Sequence, residues 1–216
     1  GSRRERRAAQ GSRRERGAEG PRHEPGARGG GVTEPGGAEV AYTVTWLEMR
    51  ARPERPRPHA PMLRGLSLLR AERPPVHFFR YLYDTVGRDY EWTDLHDRSD
   101  DDIAAMTQGA ETALYVAYLT GWPAGFILLD YRGKPVGDVA YFGLAPEAIG
   151  RGLGDWLLGT GVHMAWDAGV GRLTVNTCTL DHPRALPTYQ KWGFVPVRRE
   201  ERRRRLAPGR NRPGAA

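Results

Sequence analysis

The chain of 216 residues suits one domain with appendages, and its 39 % apolar content suffices for a sizeable core. The net charge of +7 invites a nucleic-acid reading, but the excess sits at the ends: residues 1–36 carry nine Arg against five Glu and residues 197–216 eight Arg against two Glu, leaving the middle at about −3. The single cysteine, Cys178, excludes an intrachain disulfide and a cysteine-held zinc cluster and suits a reducing, cytoplasmic setting, and no apolar run approaches the roughly 20 residues of a membrane span.

The first segment repeats "GSRRER" at 1–6 and 11–16 and has almost nothing apolar to bury, so residues 1–36 read as a disordered Arg/Gly-rich tail. "YTVTWLEM" has the β-branched and aromatic content of a strand, broken by "RPERPRPHAP". "VHFFRYLYDTV" predicts a helix closed at Gly87, and "RSDDDIAAMTQ" a second one with Ser99 as its cap and carboxylates in its first turn. Three strands follow as an antiparallel meander: "TALYVAYL", "PAGFILLDY" and, after "RGKP", "GDVAYFGLA".

A helix is expected from Gly152 to Ala168, with Leu153, Leu157, Val162 and Trp166 among its apolar positions. "RLTVNTCTL" is the next strand, so a crossover helix joins two strands that should run parallel. A short helix at "RALPTYQKW", kinked or delayed by Pro187, and a strand "GFVPVRRE" complete the order before "RRRRLAPGRNRPGAA" runs out as tail. The domain is placed at 37–205 and the C-terminal disordered tail at 206–216.

The segment "GRGLG" (150–154) at the start of the long helix carries chemistry. A helix start presents unpaired N–H groups and a positive dipole end, and glycines let an anion approach without meeting Cβ atoms, which makes a phosphate cradle; the same glycines also suit a loop that merely permits tight helix packing. No Lys-Ser or Lys-Thr pair follows, which excludes a P-loop, and the preceding meander does not suit a dinucleotide fold.

The succession strand, "LAPEAIGRGLGDWLL", strand, "RALPTYQKWGF" resembles the GCN5-related N-acetyltransferase family over Gly137 to Val197. The resemblance implies an α+β fold: a mixed, mostly antiparallel sheet, a central helix packed on it, and a parallel strand pair splayed around an acyl-CoA site. It implies acetyl-CoA as cosubstrate, its pyrophosphate held by Gly150, Arg151, Gly152, Leu153 and Gly154, chiefly through backbone N–H groups, and its pantetheine arm bonded to the backbone at Leu144. Tyr189, four residues before Gly193-Phe194, matches the tyrosine beside the cofactor sulfur that protonates the leaving thiolate. The chain departs from the family at Ile149, where the loop usually begins with Gln or Arg, and at His182, where an Asn is usual.

Transfer to an amine needs the amine unprotonated, so a base or a water chain to one belongs beside the thioester. Asp138, six residues before Leu144, resembles the position of the catalytic glutamate of histone-type members and is the first candidate; His182 is the second. Cys178 reads as a small strand residue and not as an acyl carrier, and His163 as a packed helix residue. The aromatic run "FFRYLYDTVGRDYEW" with "DLHDRSDDD" suits an aromatic and anionic mouth for a cationic amine. The expected function is direct acetyl transfer to a small amine by a cytoplasmic monomer or homodimer, with no metal and no membrane partner, and with nucleic acid bound at most weakly through the Arg-rich ends. The alternatives are acetylation of protein or peptide lysines or N-termini, and a non-catalytic acyl-CoA-binding regulatory module.

Overall fold

A computed structural model describes residues 38–206. The tail assigned to 1–36 and nearly all of that assigned to 206–216 lie outside the described residues. Seven strands form one sheet: β1 (Glu39–Met49), β2 (Leu66–Ala71), β3 (Thr112–Leu119), β4 (Trp122–Asp130), β5 (Val136–Leu144), β6 (Arg172–Cys178) and β7 (Val195–Arg205). Their order across the sheet is β2-β3-β4-β5-β6-β1-β7. Every neighbouring pair is antiparallel except β5 and β6, the parallel pair expected from the crossover.

Helices cover both faces. In β4 the run "FILL" is buried on both sides, and its period of two divides it between two cores. Ile127 and Leu129 face α3 (Leu153–Asp167), with Leu157 and Val162. Phe126 and Leu128 face α1 (Val76–Gly87) and α2 (Asp100–Thr107), with Phe79, Leu82 and Ile103. Ser99 caps α2 as expected, its Oγ accepting from the N–H of Asp102 at 3.1 Å.

The Pro-rich connection after β1 is strapped to the end of α3. Arg52 and Arg57 both pair with Asp167, at 2.6 and 2.5 Å, and His163 Nε2 donates to the carbonyl of Arg55 at 3.0 Å. His163 is thus a packed helix residue. No helix among the described residues is long and apolar enough to cross a membrane.

Three readings need correction. The strand β2 was not expected, because "SLLRA" is short and lies at the sheet edge with little buried. Pro187 does not kink the short helix α4 (Ala185–Lys191), because it occupies the first turn, where its missing donor would have had no intrahelical acceptor. The arginine run is no tail up to Arg205: β7 continues through "RREERRRR" and pairs with β1 from Glu39 to Glu48.

The glycines of α3 separate into two uses. A Cβ on Gly159 would stand 2.1 Å from the Trp192 ring and one on Gly161 2.4 Å from Ile127, so these two let the helix close on its neighbours. Gly159→Ala ordinarily favours a helix by under 1 kcal/mol, but here overpacking against a fully buried indole outweighs it. The variant is expected to lose about 1–3 kcal/mol in denaturant unfolding.

Candidate active site

The parallel pairing of β5 and β6 lasts only from Val136–Asp138 against Arg172–Thr174. Beyond it β6 continues beside β1, while β5 bulges at Ala140, where the register against β4 shifts between Leu128 and Leu129. The two strands part, and the backbone of Val139–Leu144 that faces β6 has no strand partner. A cavity of about 520 Å³ fills the opening.

One lobe of this cavity lies at the start of α3. Gly150 and Gly152 have φ of +83° and +78°, a conformation that glycine adopts without Cβ strain, and a Cβ on either would meet nothing within 4 Å. Gly152 precedes the first helical residue and offers no side-chain cap, so the first N–H groups of α3 have no intrahelical partner. Gly154, Leu144, Ile149, Arg184 and Thr188 also line the cavity. Arg151 is exposed and the side chain of Leu153 is fully buried in the core, so neither side chain belongs to the wall; only their backbone is placed at the loop.

Tyr189 also lines the cavity. Its ring packs edge-on to Phe142 and Phe194, at 6.1 and 5.9 Å between centroids. The residue is 5 % exposed, its hydroxyl has no protein partner among the described residues, and it lines the cavity. Burial, with the carboxylates of Asp181 and Asp138, holds the phenol above its ordinary range, so its proton stays on at neutral pH.

The second lobe lies between β5, β6 and the segment that follows α1. Trp92 stands here, its ring 5.5 Å from that of Tyr141, and its Nε1 donates to Asp181 Oδ1 at 3.1 Å. The other oxygen of Asp181 accepts from Thr177 Oγ1 and the Cys178 N–H, both at 2.8 Å. This link ties the loop after α1 to the loop after β6 across the cavity. Tyr83 and Tyr141 each donate a 2.6 Å hydrogen bond to Asp94, one to each oxygen.

The strand β7 supplies the other fastening. Arg204 donates to the carbonyl of Glu91 at 2.9 Å and to Thr93 Oγ1, gripping the loop on both sides of Trp92. Asp94, Asp181, Tyr141 and Arg204 were not singled out from the sequence. The alternation of β7 through its arginines is the one signal that points to Arg204; nothing local distinguishes Asp94 within its acidic run.

The structure places the two base candidates differently. His182 lines the cavity beside Tyr90, but its Nδ1 accepts from the Arg184 N–H at 3.1 Å, so the ring proton resides on Nε2 and no free lone pair faces the cavity. Burial, then Arg184, lowers its pKa and keeps the ring neutral. Asp138 is not on the cavity wall; it lies 7 % exposed where β5 and β6 are still paired. Cys178 lines the cavity, but burial and the nearby Asp181 push its thiol up to about 12, which suits no acyl carrier.

Residues 79–194, more than half of the chain, match the acetyltransferase (GNAT) family. The chain belongs to this family. Two solved GNAT structures share its fold: the GCN5-related N-acetyltransferase from Sphaerobacter thermophilus, 19 % identical with a TM-score of 0.55 over 81 % of this chain and 54 % of that one, and the one from Kribbella flavida, 15 % identical with a TM-score of 0.53 over 79 % and 60 %. A mycothiol acetyltransferase of Nocardia farcinica (strain IFM 10152) is 42 % identical over 63 residues, 29 % of this chain. The chain spans a fifth of that relative's length and somewhat over half of the two structures.

Among the described residues no cluster of His, Cys, Asp and Glu is arranged to hold a metal ion. Within this GNAT domain Asp138 is a buried acid with a second consequence. Burial first, and the neighbouring Asp130, raise it from 3.8 to about 7 against the opposing hydrogen bond of Thr174. Thr174 Oγ1 lies 2.5 Å from Asp138 Oδ1 and 3.2 Å from the Gly137 carbonyl, and one hydroxyl proton cannot serve both; a protonated Asp138 supplies the second. Because the folded value lies above the unfolded one, the acid destabilises the fold increasingly as pH rises from about 4 to about 7, by on the order of 4 kcal/mol in full, and no further above. The melting temperature of Asp138→Asn relative to wild type is expected to climb across that window and to level off above pH 7.

Proposed function

We propose that the chain is an acetyl-CoA-dependent N-acetyltransferase that moves an acetyl group directly to the amine of a small molecule in the cytoplasm. One observation carries this reading: a single cavity joins the glycine-lined start of α3, the unpartnered Tyr189 hydroxyl and the aromatic lobe around Trp92. The residues present fit the cosubstrate. The open space before Gly150 and Gly152 and the free N–H groups of α3 suit a pyrophosphate, and the unpaired edge of β5 up to Leu144 suits the amides of a pantetheine arm. Acetyl-CoA supplies an acetyl group activated as a thioester.

The remaining chemistry is the chain's own. Tyr189 Oη keeps its proton at neutral pH and stands ready to give it to a departing thiolate. The lobe around Trp92 and Asp94 receives the amine. Neither base candidate touches that lobe with a free lone pair, so the amine's proton leaves through water. The link from Trp92 to Asp181 closes the lobe, which favours a small acceptor over a lysine presented by a folded protein.

Two measurements test the reading. Calorimetry with wild type is expected to give micromolar binding of acetyl-CoA, and Gly152→Glu, which puts a carboxylate into the phosphate space, is expected to weaken it at least 100-fold. Wild-type affinity in that variant would remove the cradle. Tyr189→Phe keeps the ring packing; kcat on whichever amine is turned over is expected to fall about tenfold to a thousandfold with acetyl-CoA affinity unchanged. Unchanged turnover would leave solvent as the proton donor.

A further inference from the structure

We infer that Asp94 selects the acceptor, and that the acceptor is a small dication whose one amine is acetylated while a second positively charged nitrogen is held at Asp94. This rests on the acetyl-transfer reading above and adds to it the charge of the substrate.

Asp94 lies on the wall of the acceptor lobe and each of its oxygens accepts a phenolic proton, from Tyr83 and from Tyr141. Neutral donors orient a carboxylate without cancelling its charge. Among the described residues Asp94 has no ion-pair partner. Asp181, across the lobe, is likewise held by neutral donors: an indole N–H, a hydroxyl and a backbone N–H. Arg98 acts on the Tyr141 hydroxyl without an ion pair to Asp94, and Arg204, which also lines the cavity, is engaged by a carbonyl and a hydroxyl instead of a carboxylate.

The lobe therefore presents two carboxylates whose hydrogen-bond partners are all neutral, and both are fixed in place before any ligand arrives. The rings of Trp92 and Tyr141 stand between them, and aromatic faces add to the attraction of a cation. One ammonium group engages one such carboxylate; the amine that reacts must shed its proton and cannot keep an ion pair through the reaction. A second cation can.

An independent feature marks this space as a ligand site. The Tyr189 hydroxyl, on a residue more than nine-tenths buried, opens into the same cavity without a protein partner. It fixes where the acetyl group is exchanged. Asp94 fixes where the rest of the acceptor is held.

The test compares α,ω-diamines of two to six carbons with n-alkylamines of the same lengths, using the full chain, acetyl-CoA and thiol release as the readout. At the best length the diamine is expected to exceed the monoamine by about 10- to 100-fold in kcat/KM, mostly through KM. Asp94→Asn, which keeps an acceptor for one of the two phenols and removes the charge, is expected to shrink this ratio to within a few-fold while acetyl-CoA affinity stays near wild type; the other phenol loses its acceptor, so the melting temperature is expected to fall without loss of the folded state. Asp94→Glu is expected to restore part of the preference, which a purely structural role for Asp94 would not do.

Equal use of the two series by wild type would overturn the inference even if no variant folds. So would a preference that survives Asp94→Asn, or a wild type that binds acetyl-CoA but turns over no diamine. Failure of the wild type to bind acetyl-CoA strikes the underlying reading as well, and calorimetry distinguishes that case from the others.

Discussion

The parting of β5 from β6 after three residue pairs is the constraint on which the site depends. Buried peptide groups need partners, and a sheet that opens in its middle leaves a row of them facing each other across a gap. The extra residue at Ala140 bends β5 away, and β6 cannot follow because its far edge is paired with β1 up to Cys178. The gap persists because both strands are held on their outer sides. The opening thus has the shape and the unpaired strand edge that would suit an extended arm with amide groups of its own.

Where the strands part, helices close the opening from either end, and glycine governs one of them. Gly150 and Gly152 turn the chain through left-handed conformations and keep side chains away from the start of α3, whereas Gly159 and Gly161 bring the same helix close to Trp192 and Ile127. One stretch of sequence thus serves two demands that a single inspection of "GRGLGDWLLGTG" cannot separate. At the other end the loop after α1 is held by Trp92 to Asp181 and by Arg204 to Glu91 and Thr93. Its aromatic residues divide accordingly: Phe79 and Tyr83 are core, while Trp92 and Tyr90 line the cavity.

Much of this was legible in the sequence, for reasons that differ by residue. The meander, the crossover helix and the parallel pair follow from periodicity and turn residues, and the helix start is announced by its glycines. Tyr189 was singled out because the resemblance to the family implied it, and the structure places it on the cavity wall, buried and with no protein partner for its hydroxyl among the described residues. Asp138 shows the weakness of spacing: its six-residue distance from Leu144 spans the bulge at Ala140 and the end of pairing, and the residue lies on the closed side of the opening. His182 was a base candidate and lines the cavity, but its Nδ1 is taken by a backbone N–H two residues away, a geometry that no pattern encodes. Asp94 matters because two tyrosines distant in sequence, Tyr83 and Tyr141, converge on it. Such convergence exists only once α1 has packed on β5.

The arginines of β7 show how composition misleads when it is read by segment. A run rich in Arg with little to bury looks like a tail, yet a sheet-edge strand needs few apolar side chains and benefits from charge, which discourages pairing with another chain. The backbone of β1 supplies what side chains do not: it bonds β7 along nearly its whole length. Alternation then sets Arg198, Arg202 and Arg204 on one face. Arg198 stacks on Trp46 at 3.7 Å, Arg202 lies 5.3 Å from the same ring, and Arg204, two residues on, reaches the loop that carries Trp92. Part of the basic charge assigned to the C-terminal end is therefore fixed on a folded strand, where Arg204 holds the loop that carries Trp92.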